Sequence, residues 1–153
     1  MKDNNLARDK EEARTILNSY LIYKNRAEIK ALEIEEVKNN YDVTGMIIGE
    51  KTGQTFKINN ELEDRIVNKP DKIKELEKAR KAYEINFKKI EKAVAVLKEF
   101  EKDVIVLKYM TSPVMQWRDI ARQLGFTRIA CQRAEDRAVK KMIPLLLERG
   151  DRK

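Results

Sequence analysis

Histidine is absent from this sequence of 153 residues, and cysteine occurs once, as Cys131. Without histidine there can be no His-ligated metal site, no Ser-His triad and no imidazole acid–base chemistry. A lone cysteine cannot form an intrachain disulfide. The carboxylates and lysines are spaced as on exposed helix faces, with no nucleophile or clustered-carboxylate motif among them. We therefore expect that the protein is not an enzyme and uses neither a cofactor nor a metal.

Glycine and proline are also scarce, with 5 and 3 residues, so few positions would stop a helix. No apolar run approaches the roughly 20 residues that a membrane-spanning helix needs. The opening residues MKDNNLARDKEEAR lack the apolar core of a signal peptide. We expect a protein of the bacterial cytoplasm with no membrane partner.

Charge is abundant: 39% of the residues are Asp, Glu, Lys or Arg, and the formal net charge is +7. The segment Val104–Lys153 has 11 basic and 5 acidic residues, whereas the 103 residues before it have 22 and 21. Nearly all of the excess positive charge therefore lies in the last third of the chain. A local basic surplus indicates a phosphate-bearing partner, and the alternative is a solvated basic tail.

The first part of the chain, residues 1–100, is typical of long amphipathic helices. Apolar residues at three- and four-residue spacing predict one helix from Leu6 to Lys38 that ends at Asn39-Asn40. Residues 40–60 contain three of the five glycines and interrupt this pattern. The segments MII and TFKI on either side of GEKTGQ fit a small β-hairpin, and a crossover loop fits equally well.

Residues 61–100 have the most regular pattern, an a/d heptad over about four heptads. Three roles are open to Arg80 in it: pairing with an acid of the first helix, fixing the register of an oligomer, or extending to water. Pro70 is expected to start a helix or to kink one. The long helices predict an antiparallel hairpin, or a homo-oligomer (a dimer above all) built from the same faces. The core-type positions are Ile73, Leu76, Arg80, Tyr83, Phe87, Ile90, Val94 and Leu97.

Residues 101–153 predict three shorter helices. Ser112 is expected to cap the second of them, with Pro113 at the first helical position. Gly125 is expected to end the second helix in the left-handed conformation, and Thr127 to cap the third. The residues expected to be buried are Val104, Ile105, Leu107 and Tyr109 in the first helix, Trp117, Ile120, Ala121 and Leu124 in the second, and Cys131, Ala134, Ala138 and Met142 in the third.

A helix, a tight turn with glycine and another helix have the spacing of a helix-turn-helix DNA-binding domain. Arginine and glutamine hydrogen-bond base edges, and basic residues near helix ends bind phosphates. The alternative is a three-helix bundle with a charged outer face. Cys131 and Trp117 are interpreted as core residues, the latter in preference to a base-stacking role. We expect base reading by Arg128, Ile129, Gln132 and Arg133, and phosphate contacts by Arg118, Arg122, Thr127, Arg137, Lys140 and Lys141.

The segments EKDVIVLKYM and WRDIARQLGFTRIACQRAEDRAVKKM resemble region four of bacterial sigma factors, the module that reads the −35 promoter element. The layout of residues 10–147 resembles the ArpU/RinA-like group of small phage-encoded, sigma-like activators of late genes. The resemblance is specific over Val104–Met142 and architectural before it. It implies a sequence-specific, DNA-binding activator of phage packaging and morphogenesis genes that works with host RNA polymerase at a double-stranded promoter.

The sequence departs from this family at two places. Ile129 and Ala130 stand where sigma factors usually have polar or charged base-reading residues, and the turn between Tyr109 and Trp117 is longer than usual. The target sequence is therefore expected to differ from that of ordinary sigma factors. The residues that do match are Arg128, which contacts phosphate or base in the family, Gln132 and Arg133, which contact bases, and Arg137, which supports a backbone contact.

Two other functions are compatible with the same pattern. A phage small terminase subunit also joins a helix-turn-helix to coiled-coil helices and binds packaging-site DNA as a ring, although its DNA-binding unit more often lies N-terminal. A helical adaptor would bind an acidic protein through the basic face. The expected fold class is all-α in each case, with long coiled-coil-like helices followed by a helix-turn-helix domain.

Overall fold

The computed structural model describes the backbone of residues 2–47 and 56–147, and the side chains of residues 3–40 and 69–147. Every element in these ranges is helical, which confirms the expected all-α class. None of these helices is long and apolar enough to cross a membrane. The elements are α1 (Lys2–Asn18), α2 (Tyr20–Ile47), α3 (Phe56–Ala95), α4 (Glu99–Ile105), a π-helical turn (Val106–Met110), α5 (Trp117–Leu124) and α6 (Arg128–Leu146).

The first predicted helix, Leu6–Lys38, is divided at Ser19 into α1 and α2. The Ser19 hydroxyl donates to the carbonyl oxygen of Thr15 at 3.0 Å, and the Thr15 hydroxyl donates to that of Glu11 at 2.9 Å. Hydroxyls that bond back to the preceding turn compete with the backbone and bend helices. The prediction of one unbroken helix is therefore wrong at this point.

The predicted helix end and hairpin between α2 and α3 are also wrong where the structure describes them. α2 continues past Asn39-Asn40, so Met46 and Ile47 of one predicted strand are helical, and Phe56–Ile58 of the other lie in α3. The rest of the predicted hairpin, residues 48–55, lies outside the described residues. An isolated two-stranded hairpin is marginally stable, whereas extending an existing helix adds one hydrogen bond per residue.

α3 begins before Pro70 and ends before Phe100, which corrects both predicted bounds of this region. Pro70 lies inside the helix and does not start one. The helix ends at Ala95, and the Leu97 amide donates to the carbonyl oxygen of Val94 at 3.1 Å. α4 then starts as a separate helix after an extended residue, Lys98.

The predicted heptad positions of α3 face a core in part, since Phe87 packs against an apolar core cluster. Leu76, Ile90 and Val94 are buried. Arg80 is different, since 46% of its side chain is exposed and its Nε donates to Glu84, one turn further along, at 3.0 Å. Among the described side chains, Arg80 therefore pairs within its own helix and not with an acid of the first helix, and a role in the register of an oligomer stays a prediction.

The chain packs as two compact units: a middle unit, Asn25–Glu84, and a terminal unit, Met1–Lys24 with Ile85–Lys153. These units do not coincide with the predicted boundary at residue 100. The reason is that α1 and the end of α3 pack with the C-terminal helices.

In the middle unit, α2 and α3 contact each other through a cation and a ring. The guanidinium of Arg26 lies over the ring of Tyr83, 5.8 Å from its centroid. Further along α2, Lys30 donates to Glu33 at 2.7 Å. This hydrogen bond is the main reason that the Lys30 pKa is raised, and the charge of Glu75 on α3 adds to it.

In the terminal unit, α1, the end of α3, the π-helical turn and α6 surround one apolar core. Tyr20 lies edge-on to Phe87, with ring centroids 6.2 Å apart, and its hydroxyl donates to Glu91 at 2.8 Å. Burial and this hydrogen bond raise the pKa of Tyr20 to about 12. A second cluster joins α5 to α4 and α6. The large, fully buried side chains are Leu17, Ile90, Ile105, Val139 and Met142 in the first cluster, and Val104, Ile120 and Cys131 in the second.

Candidate nucleic-acid interface

The turn between α5 and α6 has the geometry that its sequence predicts. Gly125 has φ 73° and ψ 28°, in the left-handed region that favours glycine. The Ala121 carbonyl oxygen accepts from the amides of Gly125 and Phe126 at 3.0 and 3.1 Å. The ring of Phe126 contacts that of Phe100 on α4, with centroids 4.3 Å apart. The turn is therefore both capped and attached to the neighbouring helix.

The start of α5 does not lie at the Ser112-Pro113 pair, where the sequence predicts it. α5 begins at Trp117, with Gln116 in the extended N-cap conformation. The Thr111 hydroxyl donates to the carbonyl oxygen of Val106 at 2.9 Å, which closes the preceding π-helical turn. The preference of serine and proline for a helix start is a weak local effect. Packing of the apolar stripe outweighs it, and α5 begins with the first residue of that stripe, Trp117.

The inner face of α5 packs as predicted. Ile120 and Ala121 are buried, and Trp117 and Leu124 lie against the second core cluster. The Lys108 ammonium lies 4.9 Å from the centroid of the Trp117 ring. Trp117 is thus engaged inside the protein, which fits its interpretation as a core residue.

α6 has the predicted N-cap, and its inner face is buried as predicted. The hydroxyl oxygen of Thr127 accepts from the Ala130 amide at 3.1 Å. Burial raises the pKa of the Cys131 thiol, so the unreactive protonated form is favoured. This agrees with a core role for Cys131. The buried residues of α6 are Cys131, Ala134, Glu135, Ala138, Val139 and Met142.

The predicted base-reading residues are all exposed on α6. Ile129, Gln132 and Arg133 line one shallow groove together with Asp136 and Arg137. Ile129 is 59% exposed, although it is a large apolar residue. The groove therefore combines hydrogen-bond donors with an apolar contact, and the fourth predicted residue, Arg128, is exposed in the first turn of the helix.

The predicted phosphate-binding residues fall into two groups. Arg118, Arg122 and Lys140 are exposed, and within the part of the chain that the structure describes no carboxylate pairs with them. Thr127 is exposed as well, and its hydroxyl hydrogen is not used by the cap.

The other two predicted phosphate ligands are engaged with one carboxylate of α4. Lys141 Nζ donates to both oxygens of Glu101 at 2.8 and 3.1 Å, and Arg137 Nε lies 3.6 Å from the same group. Glu101 is only 5% exposed. Arg137 and Lys141 are therefore held toward α4, although 57% and 46% of their side chains stay accessible.

A buried ion cluster joins α1 to α6 and was not predicted from the sequence. Arg14 donates from Nε and Nη2 to the two oxygens of Glu135 at 2.9 and 3.0 Å, and the Tyr109 hydroxyl donates to the same carboxylate at 2.7 Å. Burial is the main cause that raises the Tyr109 pKa, and the hydrogen bond to Glu135 raises that of Arg14. The spacing of the buried residues indicated that Glu135 would be buried, since it lies four residues after Cys131 and three before Ala138.

The next residue, Asp136, is also held by α1. Lys10 Nζ donates to both carboxylate oxygens at 2.9 and 2.7 Å, and Arg14 Nη2 donates to one of them at 3.2 Å. These interactions, that of Lys10 first, hold the pKa of Asp136 below its usual value. Asp136 keeps 47% of its side chain exposed, so it belongs to the outward surface as well as to the contact with α1.

No protein-family model, curated protein or solved structure matches this chain. The described residues contain no group of His, Cys, Asp or Glu side chains that could hold a metal ion. The function of the site is therefore inferred from its geometry and its charge.

Proposed function

We propose that the protein binds double-stranded DNA with the outward face of α6 in the major groove. The observation that carries the proposal is that Gln132 and Arg133 lie beside Ile129 on an exposed groove, while the opposite side of the same helix is buried. An α-helix fits the major groove, where guanidinium and carboxamide groups make paired hydrogen bonds to guanine and adenine edges. The apolar side chain of Ile129 suits the methyl group of thymine.

Exposed cations on α5 and α6 support the proposal. Arg128 lies at the start of α6, Lys140 lies further along it, and Arg118 and Arg122 lie on α5. Each phosphate that such a residue neutralises makes the log–log dependence of affinity on salt steeper by about 0.9. Arg137 and Lys141 are expected to add less, because Glu101 competes with the phosphates for them.

For the biological role, we propose a sequence-specific activator of phage late genes that acts with host RNA polymerase. The support is the sigma-like sequence of Val104–Met142 together with the capped, glycine-containing turn at Gly125. A homodimer is expected, and light scattering of the purified chain measures its mass. A large ring would instead favour the small terminase subunit.

Fluorescence anisotropy tests the DNA-binding proposal. The full chain is titrated with a duplex from the late-promoter region of the encoding phage and with a scrambled duplex, at several salt concentrations. The promoter is expected to bind at least about 10³-fold more tightly. The double variant Gln132→Ala, Arg133→Ala should lose this preference, because both base-reading groups are removed.

A matched control is Lys88→Ala, Lys92→Ala, which removes two exposed polar side chains from α3. This control should keep the preference for the promoter. Equal and weak binding of both duplexes by the unmodified chain near physiological salt would contradict the proposal, and a protein partner for the basic face would then be sought.

A further inference from the structure

We propose that Asp136 is a further specificity-determining residue, which reads a cytosine by accepting a hydrogen bond from its N4 amino group. This inference rests on the proposed DNA binding by α6 and extends it to a residue of opposite charge. The basic surplus and the arginines of the helix do not indicate a role for Asp136. The role is inferred from the position of Asp136, from its exposure and from its two partners on α1.

The position of Asp136 completes a reading face. Ile129, Gln132, Arg133 and Asp136 stand at i, i+3, i+4 and i+7 on α6, and all four line the same groove. Residues at this spacing lie on one side of a helix, and helices that read the major groove use the same spacing for their base contacts. A helix that presents Gln132 and Arg133 to base edges therefore presents Asp136 one turn further along.

The charge of Asp136 is compensated locally. An unpaired carboxylate facing DNA would be repelled by the phosphates, but Lys10 and Arg14 lie within hydrogen-bond distance of Asp136 and together balance its charge and that of the neighbouring Glu135. Their three hydrogen bonds also restrict the orientation of the carboxylate. A carboxylate has about four acceptor sites, so at least one remains for a base. Its exposed fraction of 47% leaves that site accessible from the groove.

The chemistry of the remaining acceptor site selects the base. A carboxylate that stays ionised can only accept hydrogen bonds, and the N4 amino group of cytosine is the donor in the major groove that Asp and Glu recognise. Thymine has a carbonyl acceptor at the corresponding position and would face the carboxylate with a lone pair. We therefore expect cytosine to be favoured over thymine at one position of the target.

Selection from a randomised duplex library tests the inference without knowledge of the target. The full chain, Asp136→Asn and the control Asp119→Asn are each used to enrich bound duplexes, which are then sequenced. Asp119 is an exposed aspartate on α5, so the control removes the same charge from a different helix. The unmodified chain and the control should enrich one motif with a defined cytosine, and Asp136→Asn should lose the preference at that position alone.

Binding measurements with the enriched duplex then give the size of the preference for cytosine. Replacing the defined cytosine by thymine should weaken binding of the unmodified chain by about tenfold or more, and should change binding of Asp136→Asn by no more than about threefold. Asp136→Glu keeps the charge but moves the carboxylate by one methylene group. It should lose the discrimination too, and it serves as the second variant if Asp136→Asn does not fold.

The contrary outcomes are distinct. If Asp136→Asn enriches the same motif with the same cytosine preference, or weakens all duplexes by one common factor, Asp136 only attaches α1 and the inference is wrong while DNA reading by α6 stands. If the unmodified chain enriches no motif, the proposed function and the inference are both overturned.

Discussion

The two flanks of α6 carry opposite charge arrangements. On the flank that faces α4, α6 contributes the cations Arg137 and Lys141, and α4 contributes one buried carboxylate, Glu101. On the flank that faces α1, α6 contributes the carboxylates Glu135 and Asp136, and α1 contributes the cations. The same helix therefore presents positive charge to one neighbour and negative charge to the other.

This difference shows why a count of basic residues misjudges the surface. On the α4 flank, two residues that look available for phosphate are partly neutralised. On the α1 flank, two carboxylates that look unfavourable for DNA are neutralised by Lys10 and Arg14. The cations on the α4 flank are therefore less available to phosphates, and the carboxylates on the α1 flank repel phosphates less than their number indicates.

The largest effect is expected on the α1 flank, from Arg14→Ala. Removing the guanidinium leaves the carboxylate of Glu135 buried, with 6% of its side chain exposed, and without its charged partner. Breaking a buried ion pair from one side costs about 3 kcal/mol of unfolding free energy, because the remaining charge stays desolvated. Urea unfolding of the full chain measures this loss.

Arg8→Ala is the matched control for this variant, because Arg8 is an exposed arginine on the same helix. Its unfolding free energy should change by no more than about 0.5 kcal/mol. Similar losses in the two variants would mean that the Arg14–Glu135 contact does not hold the two helices together.

On the α4 flank, Glu101→Gln should affect DNA binding more than folding. The amide has the shape of the carboxylate but no charge, so Arg137 and Lys141 become available to phosphates. Nonspecific affinity should rise, and the log–log salt slope should steepen by about 0.9 for each additional phosphate that these cations neutralise. Unfolding free energy should fall by only about 1 kcal/mol, because both cations are half-exposed and their ion pairs are screened.

Glu99→Gln removes an exposed carboxylate from the same helix and serves as the control for this comparison. It should leave the salt slope unchanged. A Glu101→Gln variant with the slope of the unmodified chain would show that Arg137 and Lys141 do not reach the DNA.

The smallest effect is expected for Asp136, through its contribution to the pH dependence of the unfolding free energy. The pKa of Asp136 is lower in the folded chain than in the unfolded one, so its contribution is complete above the ordinary aspartate pKa of about 3.9 and is lost as the pH falls through the folded value. Unfolding free energy should therefore decrease more steeply below about pH 4 for the unmodified chain than for Asp136→Asn.

The difference should be small, because nearly half of the Asp136 side chain is exposed and water screens its ion pairs. Urea unfolding across the acid range measures it, and the other carboxylates are common to both proteins. Parallel curves would mean that Lys10 and Arg14 do not stabilise the charged form of Asp136.

Local signals predicted a residue's role where that role depends on neighbours along the chain. The left-handed Gly125 and the cap at Thr127 involve contacts within four residues, and both were predicted correctly. The helix end at Asn39-Asn40 and the helix start at Ser112-Pro113 depend on the same kind of signal, and both are wrong. A cap preference is worth only about 1 kcal/mol, so helix propagation or packing can override it.

The candidate site was likewise predicted where it depends on spacing along one helix, and not where it depends on distant residues. The spacing of apolar residues on α6 identified its buried stripe, and this left Ile129, Gln132 and Arg133 on the outward face. The same spacing placed Glu135 on the buried stripe, but no periodicity indicates which distant residue neutralises it. Its partner Arg14 lies 121 residues earlier in the chain.

Composition and local spacing were enough to predict the helical class, the glycine turn, the outward face of α6 and the basic surplus of the last third. These properties follow from composition and from spacing within a few turns of helix. Which charges around α6 are free and which are neutralised depends instead on tertiary packing. The ion pairs of Glu101, Glu135 and Asp136 join groups between 36 and 126 residues apart, and such groups approach each other only in the folded core.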